Sequence, residues 1–295
     1  MFTPYDETCE ILNRQYNKAN YKIVYHNVPN NNCYIYFSGN GLYVNNQEES
    51  FISRIIISDR YEWQNFSVKE KPAKEIFVRD IWLSWYVKGI NSELNSIERV
   101  IEWLKIECEG YENTFIGNSA GGYMAVICGC NIHNTDRIFC ISGQVSLYNH
   151  NDHYKTNPLL IKYGDEKWFE CYRLLEDEEA PRVFYLYPVG VDHDVVQSSF
   201  VKKGNNIATF AFDSSTHGVT ANEFDFPVIF SKSNSELIEL ANKCKGKILS
   251  ADGFSVLLSG RLRLYINKVL KYIYNKKSRL KGRIAGKIGR KDKNV

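Results

Sequence analysis

Short apolar runs ending in Gly, Asn or Asp alternate along this chain with stretches whose apolar residues recur at helical spacing. Tyr34-Ile35-Tyr36-Phe37-Ser38 stops at Gly39-Asn40-Gly41, and Phe51 to Ile57 closes on Ile55-Ile56-Ile57 before Ser58-Asp59. Both patterns predict central strands with loops at their C-terminal ends. A β-like segment from Glu75 to Val78 leads into the aromatic-rich Arg79-Asp80-Ile81-Trp82-Leu83-Ser84-Trp85-Tyr86. Leu94, Ile97, Ile101, Leu104 and Ile106 then predict a helix over 94–107 with one face on a sheet. Thr114-Phe115-Ile116, Arg137 to Ser142, Arg182 to Tyr187 and Ile207 to Phe212 read as further strands. Strands alternating with helices predict the α/β class, with a mostly parallel sheet covered on both faces. Ligands of such sheets bind beyond the C-terminal strand ends. The polar stretch 149–179 reads either as a lid or acceptor-binding cap on that rim or as a surface excursion.

With 295 residues, 44% of them apolar, the chain can bury one large α/β core, placed at 1–260, followed by a tail at 261–295. Of its 37 Lys and Arg, 13 lie from Arg261 onward against one of its 34 Asp and Glu, Asp292, which leaves 24 basic and 33 acidic groups before the tail. An acidic body with a basic tail points to an anionic partner such as a membrane surface, a nucleic acid or an acidic polymer. No nucleic-acid reading module accompanies the tail, so attraction of that kind would be nonspecific. Leu258, Leu262, Ile266, Leu270 and Ile273, with Arg261, Arg263, Lys268 and Lys271 among them, predict a basic amphipathic helix. It either lies on an anionic bilayer or, the preferred expectation, packs on the body ahead of a solvated basic tail from about Lys276 that contacts the membrane loosely.

The N-terminus has neither a basic n-region nor an apolar h-region, and no apolar run approaches the ~18 residues of a membrane span. The expected location is the cytoplasm, with peripheral contact at the inner face of the membrane. Eight scattered cysteines read as reduced core residues. Cys128-Gly129-Cys130 has the wrong spacing for a Cys-x-x-Cys pair, so no metal is expected.

The sharpest chemical signal is Gly117-Asn118-Ser119-Ala120-Gly121, a nucleophile elbow between a β-like run and a small-residue helix. The spacing places Ser119 on a strained strand-to-helix turn, and the glycines let neighbouring backbone pass. The N–H of Ala120 then faces the position of a developing oxyanion. A serine nucleophile needs a base oriented by an acid, in the chain order Ser, Asp or Glu, His. His26 precedes the elbow, His133 follows it closely, His150 and His153 belong to the polar stretch, and His193 sits in an acidic turn. His217, on a loop after the Ile207 to Phe212 run and followed by Gly218, is the expected base. Asp192 and Asp194 both qualify as the acid; Asp194 is preferred, and the other is expected to cap the next turn. Gly39 and Asn40 are the candidates for the second oxyanion donor, against a plain β-turn.

Through Gly117-Asn118-Ser119-Ala120-Gly121, the acidic turn at 192–194 and His217-Gly218, residues 30–230 resemble the α/β-hydrolase superfamily. Phe77-Val78-Arg79-Asp80 with Ser84-Trp85-Tyr86 and Gly89-Ile90, Gly121-Gly122-Tyr123-Met124-Ala125 and Ile141-Ser142-Gly143-Gln144 narrow the likeness to hydrolase-fold proteins of bacterial capsule and surface-glycan gene clusters. That resemblance implies an α/β-hydrolase fold and, from capsular polysaccharide O-acetyltransferases, acetyl-CoA as acyl donor, a serine acyl-enzyme and a glycan acceptor. Ser38 stands where lipases carry the histidine of the oxyanion loop. An aromatic rim of Trp82, Trp85, Tyr86 and Tyr123 suits sugar rings. Acetyl transfer to a surface polysaccharide is the leading expectation. An acetyl or carboxyl esterase is the alternative, and a non-catalytic polysaccharide-binding scaffold is a third.

Overall fold

The computed structural model describes residues 2–272 apart from 44–46, 67, 69, 150–152 and 202–205. Among these residues eight strands form one sheet: β1 (Tyr21–Tyr25), β2 (Asn32–Phe37), β3 (Lys74–Val78), β4 (Glu112–Asn118), β5 (Thr135–Ile141), β6 (Arg182–Pro188), β7 (Ile207–Phe212) and β8 (Ile248–Leu249). Their spatial order is β1-β3-β2-β4-β5-β6-β7-β8. β1 runs antiparallel to β3, with Ile23 opposite Ile76, and the remaining pairs are parallel. The α-helices before Gly260, in chain order, are α1 (Glu10–Tyr16), α2 (Glu48–Phe51), α3 (Ile97–Glu107), α4 (Ala120–Asn131), α5 (His153–Thr156), α6 (Pro158–Tyr163), α7 (Glu166–Phe169), α8 (Asp192–Val201), α9 (Phe226–Ser231), α10 (Asn234–Cys244) and α11 (Ala251–Ser259).

Side chains alternate across a strand, so each central strand feeds two cores. Ile35, Phe37, Ile76, Val78, Phe115, Ile138 and Tyr185 join the core under α3 and α4, while Tyr34, Tyr36, Phe77, Ile116, Phe139 and Phe184 join the core under α9, α10 and α11. α4 is apolar all round because it is buried from Ala120 to Gly129. The eight cysteines are free, and all but Cys130 are buried.

The run 51–57 is helical, not a strand: α2 continues as a π-helical stretch, Ile52–Ile57. Isoleucine favours strands, and a short apolar run does not reveal its own period. Only Phe51 and Ile55, four residues apart, find cover, in a satellite core with Leu12, Tyr43 and Trp82. Ile57 is 75% exposed. α3 starts later than its apolar pattern because Ser96 Oγ accepts the Arg99 N–H and fixes the cap beyond Leu94.

The 149–179 stretch, in its described residues, is partly packed into the body. Leu160, Trp168, Phe169, Cys171 and Leu175 are buried in the α3–α4 core, and backbone bonds from Leu147 to Phe169 and from Tyr172 to Val145 join it to the loop after β5. The C-terminal helix also departs from its expected packing. Phe254 and Leu258 of α11 are buried, but Gly260, at φ +82°, ends that helix, and 261–272 form a second one that leaves Leu262, Ile266 and Leu270 exposed. Ile273 and the tail from Lys276 lie outside the described residues. None of the described helices is long and apolar enough to cross a membrane.

Candidate functional site

β2 leads to β3 on one side and β4 leads to β5 on the other, so the strand order reverses between β2 and β4 and opens a crevice at their C-terminal ends. The elbow sits there. Ser119 has φ +56° and ψ −122°, a backbone conformation costly for any side chain, and Ser119 N–H donates to Ile141 O. The flanking glycines make the turn sterically feasible: a Cβ on Gly117 would lie 2.0 Å from Gly121 O, and one on Gly121 would lie 2.3 Å from Phe37 O. Ala120 begins α4, whose N-terminal end points its N–H groups toward the crevice.

His217 lies 2.8 Å by Nε2 from Ser119 Oγ and, by Nδ1, 2.9 and 3.0 Å from the two carboxylate oxygens of Asp194. The fully buried carboxylate orders the tautomer: Nδ1–H donates to Asp194, which leaves Nε2 to accept the Ser119 hydroxyl. Asp192 is exposed at the start of α8 and does not meet His217.

His193 adds a second imidazole that sequence reasoning weighed only as a rival base. Its Nε2 is 3.1 Å from His217 Nδ1, with the rings 4.9 Å apart. Burial pushes the His193 pKa below its ordinary 6.5, against the opposing pull of Asp194. The ligand atoms of His193, Asp194 and His217 all lie within 4.8 Å of one another, close enough to hold an ion. Such an ion would displace the proton that His217 shares with Asp194.

Gln144, fully buried on the loop after β5, also reaches the site. Trp85 Nε1–H, which can only donate, meets Gln144 Oε1 at 3.2 Å. The amide Nε2 is thereby turned toward Ser119 Oγ and His217 Nε2, 3.3 Å from each. Gln144 belongs to one of the motifs that carried the glycan-protein resemblance, yet nothing in the sequence assigned it a place.

Residues of those motifs form a buried hydrogen-bonded layer behind the site. Asp80 accepts the Trp82, Ser84 and Tyr86 N–H groups and the Ser84 hydroxyl. This carboxylate holds a loop in which Leu83, Trp85 and Tyr86 all have positive φ. Arg79 is fully buried, stacked on Tyr61 and hydrogen-bonded to Asn20 Oδ1 and Arg60 O. The expected roles of Tyr86 and Tyr123 as sugar-contacting residues need correction. Both are fully buried; the Tyr86 hydroxyl donates to Ser38 O, and Tyr123 lies within the α4 core. Trp82 is likewise buried, in the satellite core. Trp85, 5% exposed, reaches the site through the bond of its indole N–H to Gln144.

The turn after β2 approaches the elbow as the oxyanion expectation requires, since a Cβ on Gly39 would lie 2.7 Å from Asn118 O. Gly39 N–H, however, donates to Glu62 Oε2 at 2.6 Å, and Glu62 Oε1 accepts Asn118 Nδ2 at 3.1 Å. Gly39 is therefore committed to a carboxylate, which leaves Asn40 as the candidate donor in this turn. Asn40 Nδ2 anchors the turn to Leu83 O. Burial pushes the Glu62 pKa up, opposed by the Gly39 and Asn118 hydrogen bonds. No pattern around Glu62 announced this bridge, which depends wholly on how the loop before β3 folds back.

The strand order, the single antiparallel edge and the strained serine at the end of β4 define an α/β-hydrolase fold, a class that houses esterases and acyltransferases. No family model and no curated protein matches the sequence. Among solved structures the chain is similar to the capsule O-acetyltransferase of Neisseria meningitidis serogroup A, at 12% identity over 66% of this chain and 83% of that one, TM-score 0.46. It is also similar to esterase B from Lactobacillus Rhamnosis, at 11% identity over 78% and 83%, TM-score 0.45. A third similar structure is MenH from S. aureus, at 11% identity over 76% and 100%, TM-score 0.43.

Proposed function

We propose that the protein transfers an acetyl group from acetyl-CoA to a hydroxyl of a bacterial capsular or other surface polysaccharide through a Ser119 acyl-enzyme. The observation that carries the acyl-transfer step is the hydrogen-bonded succession from Ser119 Oγ to His217 Nε2 and from His217 Nδ1 to buried Asp194. In this reading Ser119 Oγ attacks the thioester carbonyl while His217 takes its proton, and Asp194 steadies the imidazolium that forms. The N–H groups of Ala120 and Asn40 receive the oxyanion. His217 then gives the proton to the departing thiol. In the second half, His217 takes a proton from the acceptor hydroxyl, whose oxygen attacks the acetyl-serine carbonyl; as the bond from that carbon to Ser119 Oγ breaks, His217 returns the proton to Oγ and the acetylated acceptor leaves. The glycan acceptor rests on the resemblance carried by the motifs at 77–80, 84–86, 121–125 and 141–144, of which Trp85 reaches Ser119 by way of Gln144.

An esterase is the second reading, and the exposure of the base favours it. The His217 side chain is 31% accessible, so water reaches the ester unless a bound acceptor excludes it. Intact-protein mass spectrometry after brief exposure to acetyl-CoA, comparing the native chain with Ser119→Ala, tests the proposal. The expected result is an acetyl adduct on the native protein alone, discharged faster by a polysaccharide acceptor than by water. Rapid turnover of a simple acetyl ester with no adduct from acetyl-CoA would select the esterase. Absence of both, with no labelling of Ser119 by a serine-directed phosphonate, would leave only the binding scaffold.

A further inference from the structure

The helix over 261–272 is oriented the wrong way round for a helix packed on a soluble body. Leu262, Tyr265, Ile266, Val269 and Leu270 recur at the spacing of a single helical face. They are 74, 69, 46, 38 and 58% exposed. The polar face is the one tied down: Lys268 pairs with Asp252, and Lys271 Nζ lies 3.3 Å from Glu223 Oε2. An apolar stripe therefore faces outward from the body, flanked by Arg261 and Arg263.

We propose that this stripe is a docking face for an anionic lipid surface, with the helix lying in the plane of the headgroups. Two observations select lipid over other cover. The stripe provides the apolar area that interfacial insertion requires, which a polyanion such as nucleic acid does not use. The chain from Arg261 onward carries 13 Lys and Arg against Asp292 alone, a charge that attracts an anionic surface and repels a second copy of the same segment. Asp252 and Glu223 pair with the lysines on the side of the helix that faces the body, which leaves the stripe on the outer side. The inference does not depend on the chemistry at Ser119.

Flotation of the full-length protein with vesicles tests it, using phosphatidylcholine alone and phosphatidylcholine with about one-third phosphatidylglycerol. Binding is expected on the anionic vesicles only, weakened at high salt, and reduced at least about tenfold by the combined change Leu262→Ser, Ile266→Ser and Leu270→Ser, each site contributing buried apolar area. Because these side chains are exposed, the triple variant should keep the native circular dichroism and melting temperature. As an independent reading, Ile266→Trp places an indole on the stripe that should be quenched by brominated acyl chains. Equal binding of native and triple variant, an unquenched indole, or no binding to anionic vesicles would overturn the proposal. So would a lipid-free dimer that the triple variant dissociates, because the stripe would then be covered by a second copy.

Discussion

Asp192 and Asp194 illustrate how two neighbouring carboxylates acquire different fates. On α8, residues two apart point about 200° from each other, so one aspartate is exposed and the other fully buried against His217. Asp194→Asn should lower kcat on an acetyl ester about 10⁴-fold, because the amide favours the wrong imidazole tautomer. Asp192→Asn should stay within about twofold, as expected of a surface charge away from the reacting atoms. Steady-state rates of the two variants check this directly. His193 makes a pH prediction. Its folded pKa lies below its unfolded value, so between the two the unfolded chain binds more protons and stability rises with pH. The contribution is present above the ordinary value of 6.5 and is lost as pH falls through the depressed folded value. Thermal melting over a pH series should show a smaller acid-side fall for His193→Gln than for the native chain; identical curves would remove His193 from the account.

At the scale of elements, the decisive junction is the β4–α4 elbow. α4 has no polar face to expose, so it remains where the glycines allow it to approach the sheet. A Cβ on Gly117 would collide with the backbone of Gly121, and backbone cannot move aside as a flexible side chain can. Gly117→Ala should therefore cost about 3 kcal/mol or more, at the upper end of overpacking effects, and should move Ser119 away from His217. Denaturant unfolding measures the first effect and phosphonate labelling of Ser119 the second. The elements around the elbow support it through long-range bridges. Glu62 joins the turn after β2 to the end of β4, and Asp80 holds the strained loop that presents Trp85 to Gln144.

Across the whole molecule, the body's sheet and its two cores meet the 261–272 helix through surface ion pairs, Lys268 with Asp252 and Lys271 with Glu223. Exposed pairs of this kind contribute roughly 0–1 kcal/mol each. Ending the chain after Gly260 should leave the melting temperature of the body within about 4 °C, the shift roughly 1–2 kcal/mol makes in a chain of this size. A larger fall would show that the helix is structural cover for the body. The sequence by itself determined the elements whose signals are local: the glycine spacing that marks Ser119, the apolar runs of β2 to β7, the chain order that singles out His217, and the charge division at Arg261. Tertiary structure alone decided that Phe51 and Ile55 bury a helical face, that Asp194 rather than Asp192 meets His217, and that Tyr86 and Tyr123 are enclosed. It also decided that Glu62 occupies Gly39 and that Gln144 reaches Ser119. The physical reason is the same throughout. Backbone preference and periodicity act within a few residues, whereas burial and hydrogen-bond partnership are set by which surfaces the sheet brings together, and those surfaces come from segments distant in the chain.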